Sequence, residues 1–194
     1  MQLLLTLLCT VAIGSDGFEP VKQAEDCDIE LRDETHPDGA AMRAKCHWPE
    51  IDAKRAGPMM DDLNRYAEFI WPIAESRVVR AEPERRLVYQ RQHIFGMTDR
   101  EVLLWVSKTV DDDTTQIAWV AASEEPLTQA RGTIRTPKNT GHWQVAPHPD
   151  GGSTVEHEIA IQAGGPKLPR WLLNMIRMRG FVSVMRDVRA AAAP

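Results

Sequence analysis

The last third of the chain constrains the fold most. Two β-strand patterns, at residues 141–146 and 153–162, run into a loop at 163–169 that contains Gly164, Gly165, Pro166 and Pro169. One long amphipathic helix, residues 169–189, then closes the sequence. A single apolar helix after a series of strands must bury its apolar stripe somewhere, and the usual place is the concave face of a curved antiparallel sheet. A curved sheet gripping one helix encloses apolar space, and such space suits a hydrophobic ligand.

The rest of the chain supplies the strands. Residues 27–33 and 40–48 read as a hairpin. Residues 52–66 are helical in composition, with Gly57-Pro58 expected to kink or split the helix. Segments 73–80, 85–95, 101–110 and 115–123 read as a meander, and 129–136 adds another strand before the final pair. Short loops join them, so the sheet is expected to be antiparallel. Residues 190–194 are expected to fray.

Periodicity assigns the inward faces. In 101–110 one parity carries Val102, Leu104, Val106 and Val110, and the other carries Glu101, Ser107 and Thr109 with Leu103 and Trp105. A half-buried strand turns its apolar parity inward. The same argument turns Ile134 inward, opposite to Arg131 and Arg135. Trp143 and Val145 face inward against His142 and Gln144. Val155, His157, Ile159 and Ile161 face inward against Glu156 and Glu158. On the closing helix, Trp171, Met175, Met178, Val182 and Met185 recur at spacings of three and four. Such residues form the core of any fold, and some of them would line a cavity in this one. His157 is the one ionisable residue on an otherwise apolar parity. It reads either as a buried histidine with a local hydrogen bond or as a polar anchor for a ligand hydroxyl or headgroup. Glu156 and Glu158 point to the other face, so the three do not form a metal site.

Cysteine placement bears on the N-terminal half. Cys27 and Cys46 flank the hairpin, whose turn His36-Pro37-Asp38-Gly39 has strong turn chemistry. A turn there sets the two cysteines nearly opposite, where directly opposed Cβ atoms lie about 4.5–5.5 Å apart, within reach of a bridge. The alternative is two free thiols packed as small apolar groups. Ahead of them, Leu3 to Ile13 form an apolar run too short to span a bilayer. Small residues at Ala12 and Gly14 fit cleavage after residue 14. Residues 1–14 are therefore expected to be a signal peptide, 15–26 an N-terminal extension and 27–190 the domain, in an exported, periplasmic protein where a disulfide would form. No Lys or Arg precedes the run. Leu8 before Cys9 does not fit a lipidation site.

At 43% hydrophobic and 26% charged residues, the composition is that of a soluble globular domain. The net charge of −5 argues against a nucleic-acid partner. It is unevenly spread. From residue 166 onward Lys167, Arg170, Arg177, Arg179, Arg186 and Arg189 stand against Asp187 alone, which leaves that segment at +5 and the remainder at −10. A basic face on the closing helix suits transient contact with an anionic membrane, or pairing with the body's own carboxylates. There is no phosphate loop, nucleophile elbow or metal motif. Asp111-Asp112-Asp113 and Glu124-Glu125 read as solvated loop charges. No cofactor, metal or catalytic residue is expected.

Several strings, in order, resemble the START (StAR-related lipid-transfer) domain family of the helix-grip superfamily. They are Asp61-Asp62-Leu63-Asn64-Arg65-Tyr66 through Phe69 and Pro72; Leu87-Val88-Tyr89; and Thr98-Asp99-Arg100-Glu101-Val102. Further on come Gly141-His142-Trp143 with Pro147, and Gly164-Gly165 before Leu168-Pro169, Trp171-Leu172 and Asn174. The resemblance spans residues 27–189. The family's Asp before the glycines is replaced by Gln162-Ala163. The position where some animal members bury an ion-paired arginine is Val106. The resemblance implies an α+β helix-grip fold, a curved antiparallel sheet wrapped around the C-terminal helix, and a lipid or sterol-like ligand, carried or sensed by a monomer. Two other readings stay open: a polyketide cyclase or aromatase using the same cavity, and an interaction domain with no ligand. The expected cavity wall is Val102, Leu104, Val106, Ile134, Trp143, Val145, His157, Ile159, Ile161, Trp171, Met175, Met178 and Val182.

Overall fold

The computed structural model describes residues 16–34, 40–126, 129–162, 164–165 and 169–194. The expected signal peptide and the turn at 36–39 lie outside them. Ten strands form one sheet: β1 (Phe18–Ala24), β2 (Cys27–Arg32), β3 (Ala41–Trp48), β4 (Ile73–Ala81), β5 (Arg86–Gln92), β6 (Asp99–Asp111), β7 (Thr114–Ala121), β8 (Thr133–Arg135), β9 (Lys138–Pro147) and β10 (Ser153–Gln162). The order across the sheet is β1-β2-β3-β10-β9-β7-β6-β5-β4. The chain therefore builds each half as a meander and joins the halves where β3 meets β10. The helices α1 (Ala53–Asp61), α2 (Tyr66–Phe69) and α3 (Arg170–Ala192) lie on one side of it.

Four details differ from the sequence reading. Residues 15–26, expected as an extension, contribute the edge strand β1, paired antiparallel with β2. The expected strand at 129–136 shrinks to β8, which runs parallel to β6. Its place exists because β7 leaves β6 after Leu104↔Ala121, so the start of β6 would otherwise have an unpaired edge. Gly57-Pro58 does not split the first helix. Gly57 packs against Thr115, where an added Cβ would lie 2.9 Å from Oγ1, and the helix continues to Asp61. Asp52 caps its start by accepting from the Lys54 N–H at 2.9 Å. Finally, α3 runs past residue 190, and Ala192 is buried in the core rather than frayed.

The main core lies between the concave face and the helices. Val102, Leu104 and Val106 of β6, Ile117 of β7, Trp143 and Val145 of β9 and Val155 of β10 face α1, α2 and α3. Val110, expected inward, is 61% exposed because the end of β6 projects beyond the covering helices. The convex face has a smaller cluster of Leu87, Tyr89, Leu103 and Ala122 with Trp105. Glu101 is fully buried beside it. One carboxylate oxygen accepts from Arg135 Nη2 at 2.9 Å, and the other accepts from the Ala130 N–H at 3.1 Å and Tyr89 OH at 3.2 Å. A buried carboxylate is tolerated when paired and hydrogen-bonded in this way. The network also ties the segment before β8 to the sheet.

Cys27 and Cys46 are directly opposed in the β2–β3 register and are joined by a disulfide. The bridge is buried in the core. It closes a sequence separation of 19 residues. Loop-closure entropy for that length corresponds to about 3 kcal/mol of stability. Replacing both cysteines with serine should lower the unfolding free energy by about that amount in denaturant titrations. Reductant should lower the stability of the native protein and leave the double variant unchanged.

Candidate functional site

The concave face is not completely filled. A gap of about 90 Å³ lies among β4–β7, β9, β10, the α2 region and α3. Its apolar wall includes Leu63, Tyr66 and Ile70 from the segment between α1 and β4, and Ile73 at the start of β4. Leu104 and Val106 come from β6, Trp119 from β7, Trp143 from β9, Ile159 from β10 and Val184 from α3. Gln90, Gln92, Asn139 and His157 supply polar groups. Gly141 makes this wall possible. It pairs with Trp119 across β7–β9, and a Cβ there would lie 2.2 Å from the Glu158 carbonyl and 2.8 Å from the Trp119 ring. Only glycine lets the Trp119 ring lie over the strand.

His157 sits at the centre of the wall. Its ring stacks on Trp143 at 3.7 Å and on Phe181 of α3 at 5.2 Å, and it tilts against Trp119 at 5.8 Å. Nδ1 lies 3.0 Å from the His142 carbonyl oxygen. A carbonyl only accepts, so Nδ1 carries the hydrogen, and in the neutral ring Nε2 is then an acceptor. Burial drives the His157 pKa down to about 3, against a raising contribution from the bond to the His142 carbonyl. The ring is therefore neutral across the physiological range. The other polar groups are partly engaged. Asn139 Oδ1 accepts from Trp119 Nε1 at 2.8 Å, Gln90 Nε2 donates to Ser76 Oγ at 3.4 Å, and Tyr66 OH donates to the Met60 carbonyl.

Of the residues expected from the sequence, Leu104, Val106, Trp143, His157 and Ile159 come together around this gap. Val102 and Val145 are buried in the same core without lining the gap. Ile161 lies beside Leu31, Met42 and Arg177 in a separate crevice between β10, β3 and α3. Ile134 is also off the wall. It packs under the Gly164–Gly165 loop with Arg100.

The closing helix requires the largest correction. The expected inward stripe was Trp171, Met175, Met178, Val182 and Met185. Of these only Met185 is fully buried, and it shares the buried face with Phe181, Val188 and Ala192. Met178 and Val182 are partly buried at its margin, and Trp171 and Met175 are exposed, at 69% and 37%. Apolar residues occur on several sides of this helix, so spacing alone did not settle its rotation. The stacking of Phe181 on His157 and the packing of the C-terminal turns in the core with Ala53, Ala56 and Met60 do. Sequence reasoning also missed Trp119, Gln90, Gln92 and Asn139. The alternation Ile117, Trp119, Ala121 in β7 could have placed Trp119.

Searches of known proteins bear on this geometry. No protein-family model matches the chain. An uncharacterised protein of Pseudomonas aeruginosa is 24% identical over 144 residues, covering 74% of this chain and 71% of that protein. Among solved structures, a STAR-related lipid transfer protein of Xanthomonas axonopodis superposes with a TM-score of 0.77 at 18% identity, covering 91% of this chain and 99% of that one. Human StAR-related lipid transfer protein 5 gives a TM-score of 0.77 at 11% identity, covering 92% and 87%. The Zhui aromatase/cyclase from Streptomyces gives 0.54 at 15% identity, covering 78% and 92%. The chain has the helix-grip fold of START domains: a curved, almost wholly antiparallel sheet closed by a C-terminal helix.

The state of His157 makes stability depend on pH. The unfolded chain takes up a proton at this residue near its ordinary value of 6.5, and the folded chain only near 3. Between those values the unfolded state binds more protons, so His157 lowers stability as pH falls through the window, by up to about 1.4 kcal/mol per pH unit. Denaturant titrations at about pH 7 and about pH 4.5 should show a smaller loss in His157→Phe than in the native protein.

Proposed function

We propose that the protein binds an apolar small molecule, a lipid or sterol-like compound, between the concave sheet and α3, and that it carries or senses that molecule. The observation that carries this reading is the unfilled gap over the concave wall, lined by uncharged and mainly apolar side chains. An ordinary core closes such space, because unfilled volume forfeits dispersion contacts. The START-like fold supports the same reading, since neighbours of this fold are described as lipid transfer proteins.

Size sets a condition on it. A pocket for a drug-sized ligand measures about 300–1,000 Å³. At about 90 Å³ the gap holds only part of such a molecule. Full occupancy requires α3 or the α2 region to move outward. The N-terminal half of α3 is only lightly committed to the core, with Trp171 and Met175 exposed. The cyclase reading is less well supported. A histidine whose pKa is pushed down to about 3 is a poor general base near neutral pH.

Organic extraction of the purified protein followed by mass spectrometry tests the proposal, with a co-purifying lipid expected. An empty protein would favour the interaction-domain reading. Val106→Arg places an unpaired charge in the wall and should reduce lipid recovery by tenfold or more, a few kcal/mol of binding. Circular dichroism checks that the variant is folded. Unchanged recovery would move the ligand elsewhere.

The reading extends to a monomeric, exported protein that meets anionic membranes transiently. Three charges of the basic helix are already matched internally, Arg177 to Glu34 at 3.4 Å, Arg186 to Asp187 at 2.9 Å and Arg189 to Glu50 at 2.6 Å. Arg179 is exposed, and on the same helix Trp171 offers apolar surface to a bilayer. At low salt the protein should sediment with anionic vesicles more than with neutral ones, and Arg179→Glu should weaken that preference. Equal sedimentation with both would remove the membrane contact and leave the ligand reading in place.

A further inference from the structure

We infer that the ligand is an uncharged lipid bearing a hydroxyl group, which donates a hydrogen bond to Nε2 of His157, and not a phospholipid or fatty-acid anion. This inference rests on the reading that the gap over the concave wall is the ligand site, and it names the chemical class that site accepts.

Among the described residues the lining contains no Asp, Glu, Lys or Arg. An anionic headgroup drawn into it would lose its hydration and meet no opposite charge, which is costly in an apolar interior. Among the described residues the one buried cation is Arg100, on the same inward parity of β6 as Leu104 and Val106. It is directed elsewhere: Nη1 donates to the Thr98 carbonyl, and Nη2 lies where an added Cβ on Gly165 would approach to 3.1 Å. It is not part of the lining. Arg100 Nε is buried without a partner, but among the described residues no guanidinium or ammonium lines the gap to meet a phosphate or carboxylate there.

The available polar groups are neutral, and His157 is the most sharply defined of them. Its two faces are covered by Trp143 and Phe181, so only the ring edge is open. Its Nδ1–H is committed to the His142 carbonyl. Among the described residues no hydrogen-bond donor is paired with Nε2, which is left as a lone-pair acceptor on the wall. An acceptor fixed between aromatic faces selects a ligand with a donor. A hydroxyl at the end of an apolar body is the simplest group that satisfies it without carrying charge. Asn139 and Gln90 are consistent with this. Each already spends one amide atom inside the protein, on Trp119 Nε1 and on Ser76 Oγ. They retain neutral hydrogen-bonding capacity and offer no countercharge.

The test uses three probes of matched chain length: 1-dodecanol, its methyl ether and dodecanoate. Affinities are measured by competition with a fluorescent apolar dye at about pH 7.5, where dodecanoate is ionised. The alcohol should bind about three- to tenfold tighter than the ether, the worth of one net hydrogen bond. Dodecanoate should bind at least tenfold more weakly than the alcohol. His157→Phe keeps a ring in the stack and removes the acceptor. It should erase the difference between alcohol and ether while leaving the ether affinity within about twofold, and the ether thereby reports that the site is still folded. Dodecanoate binding as tightly as dodecanol would overturn the neutral class. Equal loss of alcohol and ether in the variant would overturn the role of Nε2. If none of the three probes bound, the site reading itself would fall, and this inference with it.

Discussion

The structure depends on one contact between helix and sheet: Phe181 of α3 stacked on His157 of β10, which is stacked in turn on Trp143 of β9. The concave face presents Val106, Ile117, Val145 and Val155 as well as these rings. Left open to water, such a surface would forgo roughly 25 cal/mol for each Å² of apolar area. The helix covers it, and the ring stack sets how the helix is rotated as it does so. A histidine in that position is tolerated only because it is neutral and its one N–H is satisfied by the adjacent strand. Protonation would place an unpaired charge among three aromatic rings.

The two ends of α3 are held differently. Near its C-terminus, Arg189 reaches Glu50 at 2.6 Å and Asp26 at 2.7 Å, while Val188 and Ala192 are buried. The disulfide between β2 and β3 stiffens the part of the sheet next to Asp26. Near the N-terminus of the helix, large apolar side chains lie in solvent. The helix is thus fixed strongly at one end and packed lightly at the other.

The sheet itself is two-sided in a way that separates function from support. Beyond Arg100, alternate residues of β6 face an apolar wall on one side and a charged convex network on the other. Leu104 and Val106 face the gap, and Glu101 gathers Arg135, Tyr89 and the Ala130 N–H on the other side. The buried charge is thereby kept one pleat away from the apolar space. The cation–π contacts of Arg80 and Arg85 on Trp105, at 4.9 and 3.8 Å, cover the convex cluster in the same way.

By itself the sequence determined the α+β class, the order of elements from β2 onward, the opposed placement of Cys27 and Cys46, and the inward parity of β9, β10 and the covered part of β6. Period-two alternation is unambiguous when one face is apolar and the other polar, as for Trp143 and Val145 against His142 and Gln144. It did not determine the rotation of α3. That helix has apolar residues on several sides, and its buried face was chosen by what it met, the ring of His157 and the small residues of α1. Nor could it reveal that β8 runs parallel, or that β1 completes the edge, because both depend on where distant strands end. The polar groups of the wall, Gln90, Gln92 and Asn139, stand at positions that alternation treats as ordinary. Only the tertiary structure set them facing the same neutral gap as His157, because convergence across β5, β9 and β10 is a property of the curved sheet and not of any one strand.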